Sequence, residues 1–309
     1  MSRAIVFAYH DVGVRCLSVL LAHGVDVALV VTHHDNPAET IWFESVAQLA
    51  RLHGLAVATP DDANEPQFVR TVADLEPNFI FSFYYRSMLK SQLLDLVESR
   101  AYNMHGSLLP HYRGRAPVNW ALVNGERQTG ATLHEMVAKP DAGRIVDQLA
   151  VPILPNDVAV DVFRKVTTAA EIVLDRCLPA LLSGTAALKP QELARGRYYG
   201  RRRPEDGRID VTQSAWQVHN LVRAVAPPYP GAYTNIDGRR LDILRTFYTG
   251  EREGANASPT LAVRNDALML RCADGGVLRV LEASLEGIAL TPTNFHHVAG
   301  TERLFLAPA

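Results

Sequence analysis

Cysteine and lysine are nearly missing from this chain. Three cysteines, Cys16, Cys177 and Cys272, are scattered over 309 residues with no CxxC pair, which excludes a zinc knuckle and a disulfide framework. Lysine occurs only at Lys90, Lys139, Lys165 and Lys189, so arginine carries nearly all the positive charge. The net charge of −2 provides no overall basic field to attract nucleic acid. No apolar run approaches the roughly 20 residues of a membrane span. The apolar stretch from Ala4 to Tyr9 is too short for a signal-peptide core, and a cytoplasmic location is the expectation. The first turn, Tyr9-His-Asp-Val-Gly-Val-Arg-Cys16, lacks G-x-G-x-x-G, and no Walker A sequence occurs. Histidine is plentiful, at 11 residues, yet its dense pairs are His33-His34 and His296-His297. Adjacent residues of a strand face opposite ways, so neither pair makes a two-ligand clamp, and no metal is expected.

What is present fits a globular protein: 48% hydrophobic and 21% charged residues. The length suggests two domains. Short apolar runs at Ala4–Ala8, Val25–Val31, Leu55–Ala58, Phe79–Phe83 and Ala101–Asn103 alternate with helical spacing at about 15–23, 43–53, 66–75 and 88–97. That order predicts an α/β fold, a Rossmann-like parallel sheet with helices on both faces. Ligands of such sheets bind beyond the carboxyl ends of the strands, which draws attention to the residues after Phe83 and after Tyr102. A long amphipathic helix is expected over 161–182. The Gly, Pro and Arg texture that follows, including Arg201-Arg202-Arg203, reads as a linker. After a helix at 215–225 come short alternating segments such as Arg240–Arg245, Leu268–Cys272 and Val277–Leu281, which predict a smaller β-barrel domain. The expected division is a catalytic domain at 1–189, a linker at 190–208 and a C-terminal OB-like domain at 209–309.

The most informative stretch is Asn103-Met-His105-Gly-Ser-Leu-Leu-Pro110-His-Tyr-Arg113-Gly-Arg115-Ala-Pro117, with Asp141 further on. On a strand, Asn103 and His105 share one face. An amide can donate to a developing oxyanion, an imidazole can move a proton near neutral pH, and a carboxylate can orient that imidazole. Together they suit acyl transfer to an amine without a nucleophilic Ser or Cys. The glycines and prolines around Arg113 and Arg115 specify the backbone tightly, as a binding loop requires. Each residue also has a plainer use: Asn103 and Asp141 as turn formers, His105 as a hydrogen-bonded structural residue.

The Asn103-x-His105-x-Ser107-Leu-Leu-Pro110 run with the later Asp141 resembles the formyltransferases that use 10-formyltetrahydrofolate. Several further stretches are similar to the formyltransferase domain of the bifunctional polymyxin-resistance enzymes, which acts on UDP-4-amino-4-deoxy-L-arabinose in lipid A modification. They are Phe7-Ala-Tyr-His-Asp11, Thr32-His-x-Asp-Asn-Pro37, Phe81-Ser-Phe-Tyr-Tyr-Arg86, Tyr112–Trp120, Leu122–Glu126 and Asn220–Ala232. The resemblance implies catalytic roles for Asn103, His105 and Asp141. It implies a donor site for 10-formyltetrahydrofolate at Ser87, Met88, Leu89, Arg115, Val137, Ala138, Lys139, Pro140 and Asp141. It also implies small-molecule partners only, a folate donor and a nucleotide-sugar acceptor, without nucleic acid or membrane. Nothing in these residues corresponds to a dehydrogenase–decarboxylase half, so no oxidative decarboxylation is expected of them.

Other acceptors stay open. A methionyl-tRNA formyltransferase would need a basic second domain, whereas residues 210–309 hold nine Arg and no Lys against ten Asp and Glu. Another nucleotide-sugar N-formyltransferase, for example one acting on a dTDP-linked 4-amino sugar, differs in few contacts. A non-catalytic folate or nucleotide-sugar binder would have no need of a proton shuttle.

Overall fold

The structure is a computed structural model and describes residues 2–37, 39–254 and 258–306. The chain forms two compact units built from interleaved segments: residues 1–117, 129–151 and 164–200 in the first, and 118–128, 152–163 and 201–309 in the second.

The first unit starts with β1 (Arg3–Ala8), α1 (His10–Ala22), β2 (Asp26–Val31), α2 (Val46–Leu52), β3 (Val57–Ala58), α3 (Pro66–Ala73), β4 (Phe79–Phe83), α4 (Ser91–Leu94) and β5 (Ala101–His105). The strands pair in parallel in the order β3-β2-β1-β4-β5. Ile5, Phe7, Leu29, Val31, Ile80 and Leu93 form part of one buried core cluster, consistent with strands that read as continuous apolar runs. Strand order reverses between β1 and β4, so the crevice where such folds take ligands opens beyond Ala8, Phe83 and His105.

The chain continues with β6 (Arg113–Gly114), α5 (Pro117–Val123), β7 (Gln128–Glu135), β8 (Ile145–Pro152), α6 (Ala159–Leu182) and β9 (Tyr198–Tyr199). Here the sheet departs from a purely parallel one: β7 joins β5 antiparallel and β8 completes the edge. Seven of the eight β7 residues are buried, yet Gln128, Thr129, Thr132, His134 and Glu135 are polar, so the strand does not read as a buried apolar run. Helix α1 begins at His10, earlier than its apolar spacing suggested. The helix expected over 88–97 shortens to α4 and a 3₁₀ turn at Asp95–Val97, ended by Glu98 at φ 43°.

The second unit packs α7 (Ala215–Val225) with β10 (Ala232–Ile236), β11 (Arg239–Arg252), β12 (Thr260–Arg264), β13 (Ala267–Arg271), β14 (Gly276–Leu285), β15 (Ile288–Ala289), α8 (Phe295–Ala299) and β16 (Arg303–Phe305). The strands form a curled antiparallel sheet in the order β10-β11-β14-β13-β12-β16, with β15 on β14, an OB-like half-barrel. Ser214 and Gln217 cap α7 reciprocally: the Ser214 hydroxyl accepts from the Gln217 N–H, and the Gln217 side chain accepts from the Ser214 N–H. Val218, Leu221, Val222 and Val225 of this helix join a core with Leu241, Ile243, Leu270 and Leu278.

The polar residues of α7 are buried as well. Arg223, 2% exposed, donates from Nε to Asn220 at 2.9 Å and from NH1 to the Leu154 carbonyl at 3.3 Å. Burial lowers its pKa to about 10. His219 bridges the Pro155 carbonyl at 2.9 Å and the Thr246 hydroxyl at 2.8 Å. The Asn220–Ala232 stretch that carried part of the resemblance therefore includes a structural clamp, in which paired polar groups fasten the 154–157 segment.

Candidate active site

Strand β5 sets the site. Asn103 lies directly opposite His134 of β7, and His105 directly opposite Thr132. Residues two apart on a strand share a face, so these four side chains form a two-by-two grid. Thr132, fully buried, supports the loop beyond His105: its hydroxyl donates to the Ser107 carbonyl at 2.6 Å and accepts the Leu109 N–H at 3.2 Å.

Asp141 reaches this grid from the segment between β7 and β8. Its backbone is left-handed, φ 50°, a conformation Asp tolerates better than most residues. Its Oδ1 lies 3.8 Å from His105 Nδ1 and 3.5 Å from His134 Nε2, and its Oδ2 accepts the Gly114 N–H at 2.8 Å. Burial pushes the carboxyl pKa up. Positive charge on the His105 ring, and on His134 when it is protonated toward Asp141, together with the Gly114 N–H pulls it down more strongly, and the net effect holds it well below the usual carboxylate range.

The hydrogen bonds select the tautomers. His105 Nε2 is 2.9 Å from the Tyr112 carbonyl. A carbonyl only accepts, so the proton sits on Nε2 in the neutral ring, and Nδ1 faces Asp141. His134 Nδ1 is 2.8 Å from the Glu135 carbonyl and is protonated for the same reason. Its Nε2 can then accept from the Asn103 amide at 3.1 Å. That contact orients the amide, with Nδ2 toward His134 and a second amide hydrogen left for another acceptor.

Backbone shape supports the cluster. Gly114 has φ 103°, and a Cβ there would overlap the Tyr199 carbonyl. β6 and β9 pair in parallel across this point. Arg113 is buried and donates to the Leu193 and Gly196 carbonyls, both at 3.3 Å. The loop that carries the Gly114 N–H is thus held in place by the 193–199 segment.

Ser87, Met88 and Leu89 follow β4. Asn64 grips this stretch, donating to the Met88 carbonyl at 2.9 Å and accepting the Lys90 N–H at 2.8 Å. Leu89 is buried and Met88 exposed. Arg115, itself exposed, donates from NH1 to the Arg86 carbonyl at 2.7 Å, tying the loop of Gly114 to the segment that carries Ser87. Val137, Ala138 and Lys139 are exposed and Pro140 half-buried in the turn that leads into Asp141. Asn103, His105 and Asp141 therefore meet in one cluster, Arg115 joins the 86–89 segment, and residues 137–140 connect to the cluster by chain continuity. Among the described residues, no group of three or more His, Cys, Asp or Glu is arranged to hold a metal ion, and no helix is long and apolar enough to cross a membrane.

The family model described as "Formyl transferase" matches residues 16–178, more than half of the chain. The chain belongs to the formyl transferase family. The family's C-terminal domain matches residues 202–297. Among solved structures, the chain is similar to the N-formyltransferase from Helicobacter canadensis in complex with folinic acid and dTDP-3-aminofucose. That match has 21% identity and a TM-score of 0.73, and covers 91% of this chain and 99% of the other. The chain is also similar to WlaRD, a sugar 3N-formyl transferase, at 19% identity and a TM-score of 0.74, over 91% of this chain and 97% of the other. A third match is a sugar N-formyltransferase from Shewanella sp FDAARGOS_354, at 21% identity and a TM-score of 0.62, over 79% and 96% of the two chains. At these identities the likeness speaks to the fold.

His134 is the member of this formyl transferase's cluster that the motif did not bring out. Its place depends on the β5–β7 register, which no local pattern encodes. The available signal was the short alternation Ala131-Thr132-Leu133-His134, ending seven residues before Asp141.

Proposed function

We propose that the protein transfers a formyl group from a 10-formyltetrahydrofolate-type donor to the amino group of a nucleotide-linked sugar. The observation that carries this is the convergence of the Asn103 amide, the His105 imidazole and the Asp141 carboxylate at the end of β5, in a chain of the formyl transferase family. Three similar structures, named as N-formyltransferases or sugar N-formyltransferases, favour an amino sugar as the acceptor; two of them are named with a folate and a dTDP species. Within that class, the motifs shared with the polymyxin-resistance enzymes make UDP-4-amino-4-deoxy-L-arabinose the first acceptor to test. The near-neutral balance of residues 210–309 speaks against tRNA.

The donor supplies an activated formyl carbon. Asn103 is placed to donate its second amide hydrogen to the formyl oxygen, where negative charge develops as the amine attacks. A preorganised donor of this kind contributes roughly 3 kcal/mol. His105 moves the proton. With Nε2 bonded to the Tyr112 carbonyl, Nδ1 is the nitrogen that takes a proton from the attacking amine and passes it to the leaving folate nitrogen. Asp141 stabilises the imidazolium in between. One carbon–nitrogen bond forms and one breaks, so the step is redox-neutral. The backbone of Ser87–Leu89, fixed by Asn64, and the Arg115 loop are the places for the donor. Main-chain groups on a rigid scaffold suit a flat heteroaromatic ring.

The test is formylation of UDP-4-amino-4-deoxy-L-arabinose, a dTDP-4-amino sugar and methionyl-tRNA with 10-formyltetrahydrofolate. Formylation of an amino sugar supports the proposal. Formylation of methionyl-tRNA alone would replace it.

A further inference from the structure

Tyr84 stands immediately after β4, the strand between β1 and β5. In the parallel register, Phe83 pairs with Ala8 of β1 on one side and with Met104 of β5 on the other. Tyr84 therefore sits over the reversal of strand order, level with Tyr9 after β1 on one side and with His105 at the end of β5 on the other. Its backbone is left-handed, φ 58°, a region that costs a bulky residue of order 1–3 kcal/mol. A glycine would sit there without strain, so the phenol is retained at an energetic cost.

The ring is tightly placed. Its hydroxyl is buried and lies where a Cβ on Gly106 would be, next in sequence to His105. On its other side it meets His10, with ring centroids 6.5 Å apart and planes tilted by 52°. His10 is stacked on Phe43 at 3.8 Å and meets the edge of Trp42 at 4.6 Å. Trp42, Phe43, His10 and Tyr84 thus form one aromatic wall that runs from the end of β1 to the end of β5. The wall carries no charge near neutral pH, because burial, helped by the Arg86 charge, lowers the His10 pKa to about 3. An uncharged wall suits an acceptor amine that must be neutral to attack. Tyrosine offers a rigid, partly polar contact surface at low conformational-entropy cost.

Resting on the formyltransferase function proposed above, we infer that Tyr84 is the residue that selects the acceptor: its ring forms the floor on which the acceptor sugar lies. The donor is held elsewhere, by the backbone that follows Arg86, and is not the ligand Tyr84 discriminates.

The test is steady-state kinetics of wild type, Tyr84→Phe and Tyr84→Gly with 10-formyltetrahydrofolate and two acceptors that share a nucleotide and differ in the sugar, UDP-4-amino-4-deoxy-L-arabinose and a UDP-linked 4-amino hexose. Thermal unfolding is measured alongside, and the left-handed backbone at position 84 makes glycine the variant that folds without new strain. For Tyr84→Gly the expected result is a rise of about tenfold or more in acceptor KM, with kcat and donor KM within about threefold, the signature of lost binding common to ground and transition states. The ratio of kcat/KM between the two acceptors should move toward one. Tyr84→Phe, which keeps the ring, should raise acceptor KM less than Tyr84→Gly does, since the ring is the working part. A Tyr84→Gly enzyme with wild-type acceptor KM, or with donor KM raised instead, overturns the inference while leaving the proposed function intact. A wild-type enzyme that formylates neither acceptor overturns both.

Discussion

Asp141 and His105 face each other without touching: the carboxylate Oδ1 and the imidazole Nδ1 are 3.8 Å apart. That distance is too long for a hydrogen bond and short enough for strong attraction between opposite charges. The other ring nitrogen is bonded to the Tyr112 carbonyl, so Nδ1 has room for a substrate proton and a carboxylate behind it. A direct hydrogen bond to Asp141 would have left the ring no free nitrogen for proton transfer.

Asp141→Asn preserves shape and removes the charge. Turnover should fall by roughly two to four orders of magnitude, as expected when proton transfer is lost, with KM for both substrates little changed. His105→Ala should be comparably damaging, and the double variant scarcely worse than the worse single one, because residues acting as a unit are not additive. Steady-state rates of all three variants check this; losses that multiply would mean the two side chains act independently.

His134 is bonded to the Asn103 amide. Its Nε2 accepts the amide hydrogen that fixes the Asn103 side chain, and without it the amide is free to turn its oxygen toward the substrate. His134→Ala should lower kcat about tenfold to a hundredfold, below the full cost of deleting an oxyanion donor. Donor KM should hold. His134→Gln, which offers an oxygen as acceptor, should recover part of the loss. Equal losses in the two variants would assign His134 a purely packing role.

Gly114 joins backbone strain to the site. With φ 103° and the Tyr199 carbonyl in the way of a Cβ, Gly114→Ala must displace the N–H that Asp141 accepts. The expected outcome is a destabilisation of about 1–3 kcal/mol together with a clear fall in kcat. Denaturant midpoints and kinetics on the same preparation measure both. Wild-type kcat in a destabilised protein would separate the loop from catalysis.

The parallel half of the first sheet was legible because its strands, such as Ala4–Ala8 and Phe79–Phe83, are buried on both faces and read as unbroken apolar runs. Asn103, His105 and Asp141 stood out through the company of glycines and prolines around them, although their meeting in space did not. The β7–β8 edge was hidden differently: β7 buries polar residues, Thr132 and His134 among them, so it does not read as an apolar run, and β8 has no fully buried residue. His134 was hidden with it, because a cross-strand partner depends on register. The aromatic wall has no local signature, because His10 at the start of α1, Trp42 and Phe43 before α2, and Tyr84 after β4 are brought together only by the sheet order.

Acid should destabilise the protein through its buried His219 and half-buried His33. Burial lowers the pKa of His219 and of His33 from 6.5 to about 4. The unfolded chain binds these protons at higher pH than the folded one does, so the stability contributed by the neutral rings is complete above about pH 6.5 and is lost as pH falls toward 4. For His219 the loss should reach on the order of 1–3 kcal/mol. Urea midpoints at pH 7 and pH 4.5 check this with wild type and His219→Gln, a neutral side chain able to reach the same partners. The variant should show the smaller drop between the two pH values; an equal drop would place the acid sensitivity elsewhere.

The most direct measurement is mass spectrometry of the acceptor after incubation with 10-formyltetrahydrofolate and the enzyme, run side by side with wild type and His105→Ala under single-turnover conditions. The expected result is an amino-sugar nucleotide heavier by one formyl group with wild type, and a rate lower by roughly two to four orders of magnitude with His105→Ala. Formylated product appearing at the same rate with both proteins would contradict the assignment of the β5 cluster as the centre of formyl transfer.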